Sequence, residues 1–160
     1  DMDQLQKVLK NNLPRIITNT EVQAELAKHN IEVEILEEGG TSTINTFSIA
    51  AQGNDHAIMH PDTPKFQNTG YLINGKIFHP GDALFVPPTP IEILLIPIFA
   101  PWSKISETLD YMAAVNATIN LPVHDGSILG GGTFYRFANM WSEKMGVKFI
   151  EPELNKTYDF

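Results

Sequence analysis

Apolar positions along the chain follow the two periods that distinguish helices from strands. Helical spacing of the apolar positions in residues 5–9 predicts a first helix that begins near Asp3 and ends before Pro14. A second apolar stripe predicts a helix that ends near Asn30. Residues 31–36 then alternate between apolar and acidic side chains, which is typical of a half-buried strand.

The remaining apolar runs predict further strands and two more helices. Strands are predicted at residues 15–18, 44–51, 71–73, 76–78, 91–99 and 117–123, with a short strand beyond Ile150. A helix is predicted after an N-cap at Ser103, and a last one from Thr133 to Gly146 with its apolar stripe at Phe134, Phe137, Ala138, Trp141 and Met145. The alternation of helices and strands indicates an α/β fold, and the strands in succession before residue 80 indicate an antiparallel meander.

Residues 71–82 are predicted to form a hairpin that ends at an acidic residue. Asn74-Gly75 lies between two apolar runs and is typical of a type I′ turn. Pro80 cannot donate a hydrogen bond to a neighbouring strand and Gly81 tolerates unusual backbone angles, so the second strand stops there. Asp82 is therefore predicted to lie at a strand end, where functional side chains are common.

Composition limits the classes of function. The chain has 160 residues, 42% of them hydrophobic and 19% charged, which is typical of a single globular domain at residues 1–160. No apolar run approaches the roughly 20 residues that cross a bilayer. A net charge of -8 argues against a nucleic-acid partner, because such binding needs clustered Lys and Arg. The absence of cysteine excludes disulfides and fits a reducing compartment, so we expect a cytoplasmic protein with no membrane partner.

Two residues with metal-binding side chains follow predicted strands directly. Asp82 and His124 both lie where the chain turns after an apolar strand, and both are ligand types for a divalent metal ion. Their positions suggest one shared site. The alternatives are that Asp82 is a turn or cap residue after Gly81, and that His124 is a histidine of a surface turn.

The other histidines leave several roles open. His56 and His60 would lie on one face of a strand about 13 Å apart, so at most one of them is predicted to bind the metal. If Pro61 bends the chain, His60 instead contacts and orients a residue that binds the metal, or it faces the substrate. His79 either orients a neighbouring ligand, helps in proton transfer, or is a histidine at the end of the hairpin.

Three stretches of the chain stand out as motifs, namely Asn-Thr-Gly-Tyr-Leu-Ile at 68–73, Phe-His-Pro-Gly-Asp-Ala at 78–83 and Leu-Pro-Val-His-Asp-Gly at 121–126. They resemble the second part of a metallo-β-lactamase-superfamily hydrolase, in the branch that includes L-ascorbate-6-phosphate lactonase. The resemblance covers residues 2–150, and the order His56, Asp82, His124 is its most specific part. It implies an αβ/βα sandwich with mixed sheets, whose strand ends hold one or two metal ions and a nucleophilic water.

The resemblance also implies roles for individual residues. His56 would be the third histidine of the first metal site, Asp82 the bridging and catalytic carboxylate, and His124 a ligand of the second metal. The implied metal is zinc or manganese. Asp125 is a candidate hydrogen-bond acceptor for a ligand histidine, and Trp102 is either a wall of the pocket or a core residue.

The chain departs from this family at its beginning. The family signature His-x-His-x-Asp-His is expected at or before the first residue; Asp1 matches its Asp, but Met2 replaces the His that should follow. We therefore expect the C-terminal two thirds of the usual fold, N-terminally incomplete. The metal site is then either completed by residues upstream or lost from a natural relative. Exposed apolar edges and faces would favour a homo-oligomer.

Two functions from different classes follow. The first is a metal-dependent hydrolase that uses a metal-activated water on a small-molecule ester, lactone or phosphoester. The second is a catalytically inactive remnant that acts as a binding or assembly module.

Overall fold

The computed structural model describes residues 2–12, 14–126 and 132–160. Within these ranges the helices are α1 (Met2–Asn11), α2 (Thr20–Ala27), α3 (Ile105–Val115) and α4 (Gly132–Met145). The strands are β1 (Ile17–Thr18), β2 (Glu34–Ile35), β3 (Thr41–Ile44), β4 (Phe47–Gln52), β5 (Gly70–Ile73), β6 (Ile77–His79), β7 (Ile93–Pro97), β8 (Ile119–Val123) and β9 (Lys148–Phe149). None of the helices in these ranges is long and apolar enough to cross a membrane.

A seven-stranded mixed sheet forms the centre of the molecule. Its strands lie side by side in chain order from β3 to β9. Neighbours from β3 to β6 are antiparallel, whereas β6, β7, β8 and β9 are parallel. Parallel neighbours require crossover connections, and α3 and α4 provide two of them. Strands β1 and β2 form a separate parallel pair. The prediction of an α/β fold with mixed sheets is confirmed.

The antiparallel half is the predicted meander with one more strand than expected. The turn at Asn74 and Gly75 has φ values of 52° and 65°, as a type I′ turn requires, so this prediction is confirmed. The prediction of a single strand over residues 44–51 is wrong. The chain reverses at Asn45, where φ is 53°, and β3 pairs with β4. Asn tolerates this left-handed conformation better than most residues, so it supplies a turn without glycine.

The main core lies between the sheet and α3. Leu94 and Ile96 of β7 are fully buried and pack in one cluster with Tyr111 and Met112 of α3. Both faces of β7 are covered along most of its length, which confirms the prediction from its continuous apolar sequence. A second cluster joins α3 to α4 through Leu109, Tyr135 and Ala138.

Several local predictions are wrong for identifiable reasons. Ile35 in β2 is 52% exposed rather than half-buried, because β2 pairs only with the two-residue β1. In α4 the buried side chains are Tyr135, Ala138 and Ser142, whereas Phe137 is 41% exposed. Phe134, Ala138 and Trp141 of the predicted stripe do pack in the second core cluster, so the prediction is wrong at Phe137 and missed the buried Tyr135 and Ser142. The N-cap of α3 is Lys104 rather than Ser103, and the last short strand precedes Ile150.

Candidate functional site

One edge of the main sheet collects the candidate residues. Strand β4 runs parallel to β6, because each is antiparallel to β5, and β6, β7 and β8 are parallel to one another. The carboxyl ends of these four strands therefore lie at the same edge. His56 follows β4, Asp82 follows β6, Trp102 follows β7 and His124 follows β8. The topology brings together side chains that lie up to 68 positions apart (124 − 56) in sequence.

Asp82 is held by a turn that Asn68 stabilises. The buried side chain of Asn68 accepts a hydrogen bond from Asp82 N at 2.9 Å and donates one to Pro80 O at 2.8 Å. Gly81 between them has a φ of 70°. A Cβ atom at this position would lie 2.2 Å from Asn68 Oδ1. Glycine is therefore required both for the backbone conformation and for the close approach of Asn68.

His56 presents one ring nitrogen to Asp82. Its Nε2 lies 3.6 Å from Asp82 Oδ2, and its Nδ1 lies 2.6 Å from Ala57 O. A carbonyl oxygen only accepts, so this hydrogen bond requires the proton to be on Nδ1. In the neutral tautomer with this proton, the lone pair on Nε2 points towards the carboxylate. The Ala57 amide also donates to Asp82 O at 2.9 Å, which ties this segment to the Asp82 turn.

His124 approaches the other oxygen of the same carboxylate in the same manner. Its Nε2 lies 3.6 Å from Asp82 Oδ1, and its Nδ1 lies 2.6 Å from Phe99 O. The backbone of His124 is in the left-handed region, with a φ of 60°. This conformation is unfavourable for a residue with a side chain, and such residues concentrate at functional sites. The backbone conformation of His124 therefore supports a functional role for this residue, in addition to the position of its side chain.

The donor chemistry of this arrangement fits a divalent metal, but the donor set is small. At 3.6 Å the nitrogen and oxygen atoms are too far apart for a hydrogen bond. Each carboxylate oxygen of Asp82 faces the Nε2 atom of one histidine, so Asp82 together with either histidine offers two donors, where protein zinc sites use three or four. Accordingly, within the described ranges no group of three or more His, Cys, Asp or Glu residues is placed to hold a metal ion.

Aromatic rings surround the two histidines. The Trp102 ring lies 6.1 Å from the His56 ring and 6.4 Å from the His124 ring, in both cases edge to face. Phe66 contacts His56 from another side at 6.1 Å. These rings restrict the imidazole orientations, and the Asp82 side chain between the two histidines is 47% exposed. Trp102 is half-buried and also lines a cavity of about 560 Å³, and its role as a wall of the active-site pocket stays a prediction.

The two other histidines considered as site residues contact their own loops. His60 is exposed, accepts a hydrogen bond from Asp62 N at 3.2 Å, and lines a small cavity of about 70 Å³ next to His56. His79 accepts a hydrogen bond from Gly81 N at 3.0 Å through Nδ1. Burial lowers the pKa of His79, and the negative charge of Asp82 opposes this shift. Their parts in substrate binding or proton transfer stay predictions.

Asp125 accepts a hydrogen bond from a residue that the sequence pattern did not suggest. The hydroxyl of Tyr135 donates a hydrogen bond to Asp125 Oδ2, and burial together with this carboxylate raises the pKa of Tyr135. The acceptor for His124 Nδ1 is therefore the Phe99 carbonyl rather than Asp125. Asp1, the remaining candidate, lies outside the described residues.

Sequence reasoning missed the groups that orient the candidate ligands. Asn68 opens one of the stretches on which the resemblance rests, yet its contact with Asp82 depends on how the hairpin folds back. The carbonyl groups of Ala57 and Phe99 leave no trace in a sequence pattern, because every residue has one. Only Asn68 offered a signal, as a polar side chain directly before a strand of the hairpin.

The chain was also compared with known proteins. The family model for the beta-lactamase superfamily domain matches residues 6–124. Protein Rv0786c of Mycobacterium tuberculosis is 31% identical over 134 residues, which are 80% of this chain and 62% of that protein. The chain thus spans less than two thirds of this curated relative.

Two solved structures share the fold. Igni18, a metallo hydrolase from Ignicoccus hospitalis, matches with a TM-score of 0.72 and 17% identity over 98% of this chain and 73% of that one. A protein described as a metal-dependent hydrolase from Parabacteroides distasonis matches with a TM-score of 0.64 and 20% identity over 85% of this chain and 63% of that one. The family match covers most of the chain and includes His56, Asp82 and His124. This chain belongs to the beta-lactamase superfamily.

Proposed function

We propose that the protein is a metal-dependent hydrolase that acts on an ester, lactone or phosphoester of a small molecule. The observation that carries the proposal is the position of Asp82, whose two oxygens each face the Nε2 atom of a different histidine at 3.6 Å. Both histidines are fixed by carbonyl groups in the tautomer that leaves Nε2 free.

Each site residue has a defined part in this proposal. His56 and His124 would each supply one donor through Nε2, and Asp82 would supply one carboxylate oxygen beside each of them and would orient the attacking water. Zinc or manganese, when bound, supplies a Lewis acid that lowers the pKa of water towards neutrality. In hydrolysis the hydroxyl group joins the acyl or phosphoryl atom, and the proton leaves with the alcohol oxygen. Trp102 and Phe66 limit the access of bulk water to His56.

The proposal requires donors beyond the residues that the structure describes. Three or four protein ligands are usual at a catalytic zinc ion, whereas Asp82 offers two donors together with His56 and two together with His124. The fold neighbours described as metal-dependent hydrolases support the proposal only through the fold, because their identity to this chain is 20% or lower. The relation to the L-ascorbate-6-phosphate lactonase branch is part of the proposal and rests on the stretches 68–73, 78–83 and 121–126.

A second candidate is a catalytically inactive module that binds a ligand or a partner. The small donor set favours it, because two donors bind a metal weakly. The two candidates differ in whether added metal produces turnover.

Hydrolysis assays with metal-depleted and metal-loaded protein test the proposal. We expect turnover within a panel of esters, lactones and phosphoesters that appears with zinc or manganese and disappears with a chelator. Asp82→Asn should lower kcat/KM by about 100-fold or more, since removal of groups that only orient ligands already costs about 10- to 100-fold. Asp110→Asn, an exposed substitution on α3, serves as the matched control. Turnover that survives Asp82→Asn, or its absence from metal-loaded protein, would contradict the proposal.

A further inference from the structure

A cavity of about 560 Å³ opens directly beside the candidate metal ligands. Ala57, the neighbour of His56, and Ala83, the neighbour of Asp82, both line it. Trp102, whose ring contacts both candidate ligand histidines, forms part of its wall. A molecule in this cavity therefore lies against the residues next to His56 and Asp82, although neither of these two residues lines the cavity itself. The volume is in the range of small-molecule sites.

The cavity combines an apolar wall with charges of a single sign. Ile58, Phe85 and Trp102 provide aliphatic and aromatic surface. Three carboxylate residues also line it: Glu38, Asp55 and Glu107. Among the described residues that form the lining there is no Lys, Arg or His.

The carboxylates are not neutralised by neighbouring side chains. Within the described part of the chain, none of the three forms an ion pair. Glu107 Oε2 accepts a hydrogen bond from the backbone N of Lys104 at 3.0 Å, which fixes its position at the start of α3. The cavity therefore presents three exposed carboxylates, of which Glu107 is positioned by its hydrogen bond, next to aromatic surface, and this arrangement attracts cations and repels anions.

We propose that this cavity binds an organic cation, a protonated or quaternary amine on an apolar body, and that it selects substrates carrying such a group. The inference rests on the proposed hydrolase function and narrows its substrate class. An amine-bearing carboxylic ester or lactone fits the cavity, with the acyl group towards Asp82 and the cation towards Glu38, Asp55 and Glu107. A phosphoester brings negative charge towards these carboxylates and is disfavoured. Water adds across the acyl–oxygen bond to give a carboxylic acid and an alcohol.

Binding of two isosteric ligands tests the inference without requiring turnover. Acetylcholine and 3,3-dimethylbutyl acetate differ in one atom, a charged nitrogen or a neutral carbon. Calorimetric titration of the purified chain should give a dissociation constant about tenfold lower for acetylcholine, because cation–π and charge attraction add to shared apolar contacts. Equal affinity, tighter binding of the neutral ester, or no binding of either would overturn the inference.

Charge-removing variants identify the cavity as the site. Glu107→Gln and Asp55→Asn keep the size of each side chain and should reduce the preference for acetylcholine several-fold, with the affinity for the neutral ester unchanged. Glu143→Gln, an exposed residue of α4 outside the lining, is the matched control and should leave both affinities unchanged. A preference that both cavity variants retain would place the cation elsewhere and contradict the inference.

The same ligands separate this inference from the hydrolase proposal. Selective binding of acetylcholine, together with no turnover of any member of the ester, lactone and phosphoester panel by metal-loaded protein, supports the cation site and contradicts catalysis. Turnover of both esters at equal kcat/KM supports catalysis and contradicts the cation site.

Discussion

At Gly81 the backbone has a φ of 70° and the α-carbon faces Asn68 Oδ1. Gly81→Ala should therefore lower the free energy of unfolding in two ways. The left-handed conformation costs about 1–2 kcal/mol with a side chain, and the contact with Asn68 adds about 1–3 kcal/mol. Gly75→Ala is the matched control, because Gly75 has a φ of 65° but a Cβ atom there would have open space around it within the described part of the chain. Equal losses in urea unfolding for the two variants would contradict the packing role of Asn68.

His79 should make stability depend on pH. Burial holds its folded-state pKa below the ordinary value of 6.5, and its Nδ1 accepts a hydrogen bond from Gly81 only while unprotonated. As pH falls through 6.5 the unfolded chain binds this proton before the folded chain does, so the free energy of unfolding decreases. Urea unfolding at about pH 7.5 and about pH 5.5, on either side of this pKa, should show a larger loss in the wild type than in His79→Asn. Equal losses of unfolding free energy in the wild type and in His79→Asn would show that His79 does not contribute to the pH dependence of stability.

The candidate residues themselves could be predicted from the sequence, but their precise pairing could not. Asp82 and His124 follow apolar strands, and the family resemblance added His56. The sequence pattern could not show that both histidines face one carboxylate, because this depends on the order and direction of the strands. It also could not show the hydrogen bonds to the Ala57 and Phe99 carbonyls, which form only through tertiary structure.

At the scale of elements, the packing of α3 on the parallel strands fixes the edge that carries the site. Met112 of α3 is fully buried in the main core, whereas Met140 of α4 is 54% exposed. Met112→Ala should lower the free energy of unfolding by about 2–5 kcal/mol, because it leaves a cavity in the core. Met140→Ala should change it by less than about 0.5 kcal/mol. Chemical denaturation measures both, and a small loss for Met112→Ala would mean that α3 is not firmly packed.

Elements with a strong local signal were predicted well. The continuous apolar run of β7 and the Asn74-Gly75 turn carry such signals, and both predictions are confirmed. The β3–β4 hairpin was missed because its turn at Asn45 lacks glycine or proline nearby. The exposure of Ile35 could not be predicted, because it depends on the size of the sheet that β2 joins rather than on its own alternation.

At the scale of the whole molecule, the face of the main sheet opposite the α3 core carries an apolar row. The strand register aligns isoleucines of five neighbouring strands, namely Ile49, Ile73, Ile77, Ile93 and Ile119. Ile93 is buried and the other four are half-buried. Partly exposed apolar surface favours association, so we expect the purified chain to form a homo-oligomer.

Light scattering coupled to size-exclusion chromatography measures this oligomeric state. The wild type should have a mass of at least twice 17.8 kDa, and Ile77→Lys should shift it towards the monomer. Val86→Lys, at an exposed position away from the row, is the control. Circular dichroism establishes that each variant is folded. A wild-type monomer at all concentrations would contradict the expectation.

Elemental analysis of the purified chain, after reconstitution with zinc or manganese, measures its metal content. This measurement tests the proposed metal site at Asp82 without any assumption about the substrate. We expect bound metal that is lost in Asp82→Ala and reduced in His56→Ala and His124→Ala. His29→Ala, at an exposed histidine after α2, should retain the wild-type content. No bound metal in the wild type, or an unchanged content in Asp82→Ala, would contradict the assignment of Asp82 as the centre of a metal site.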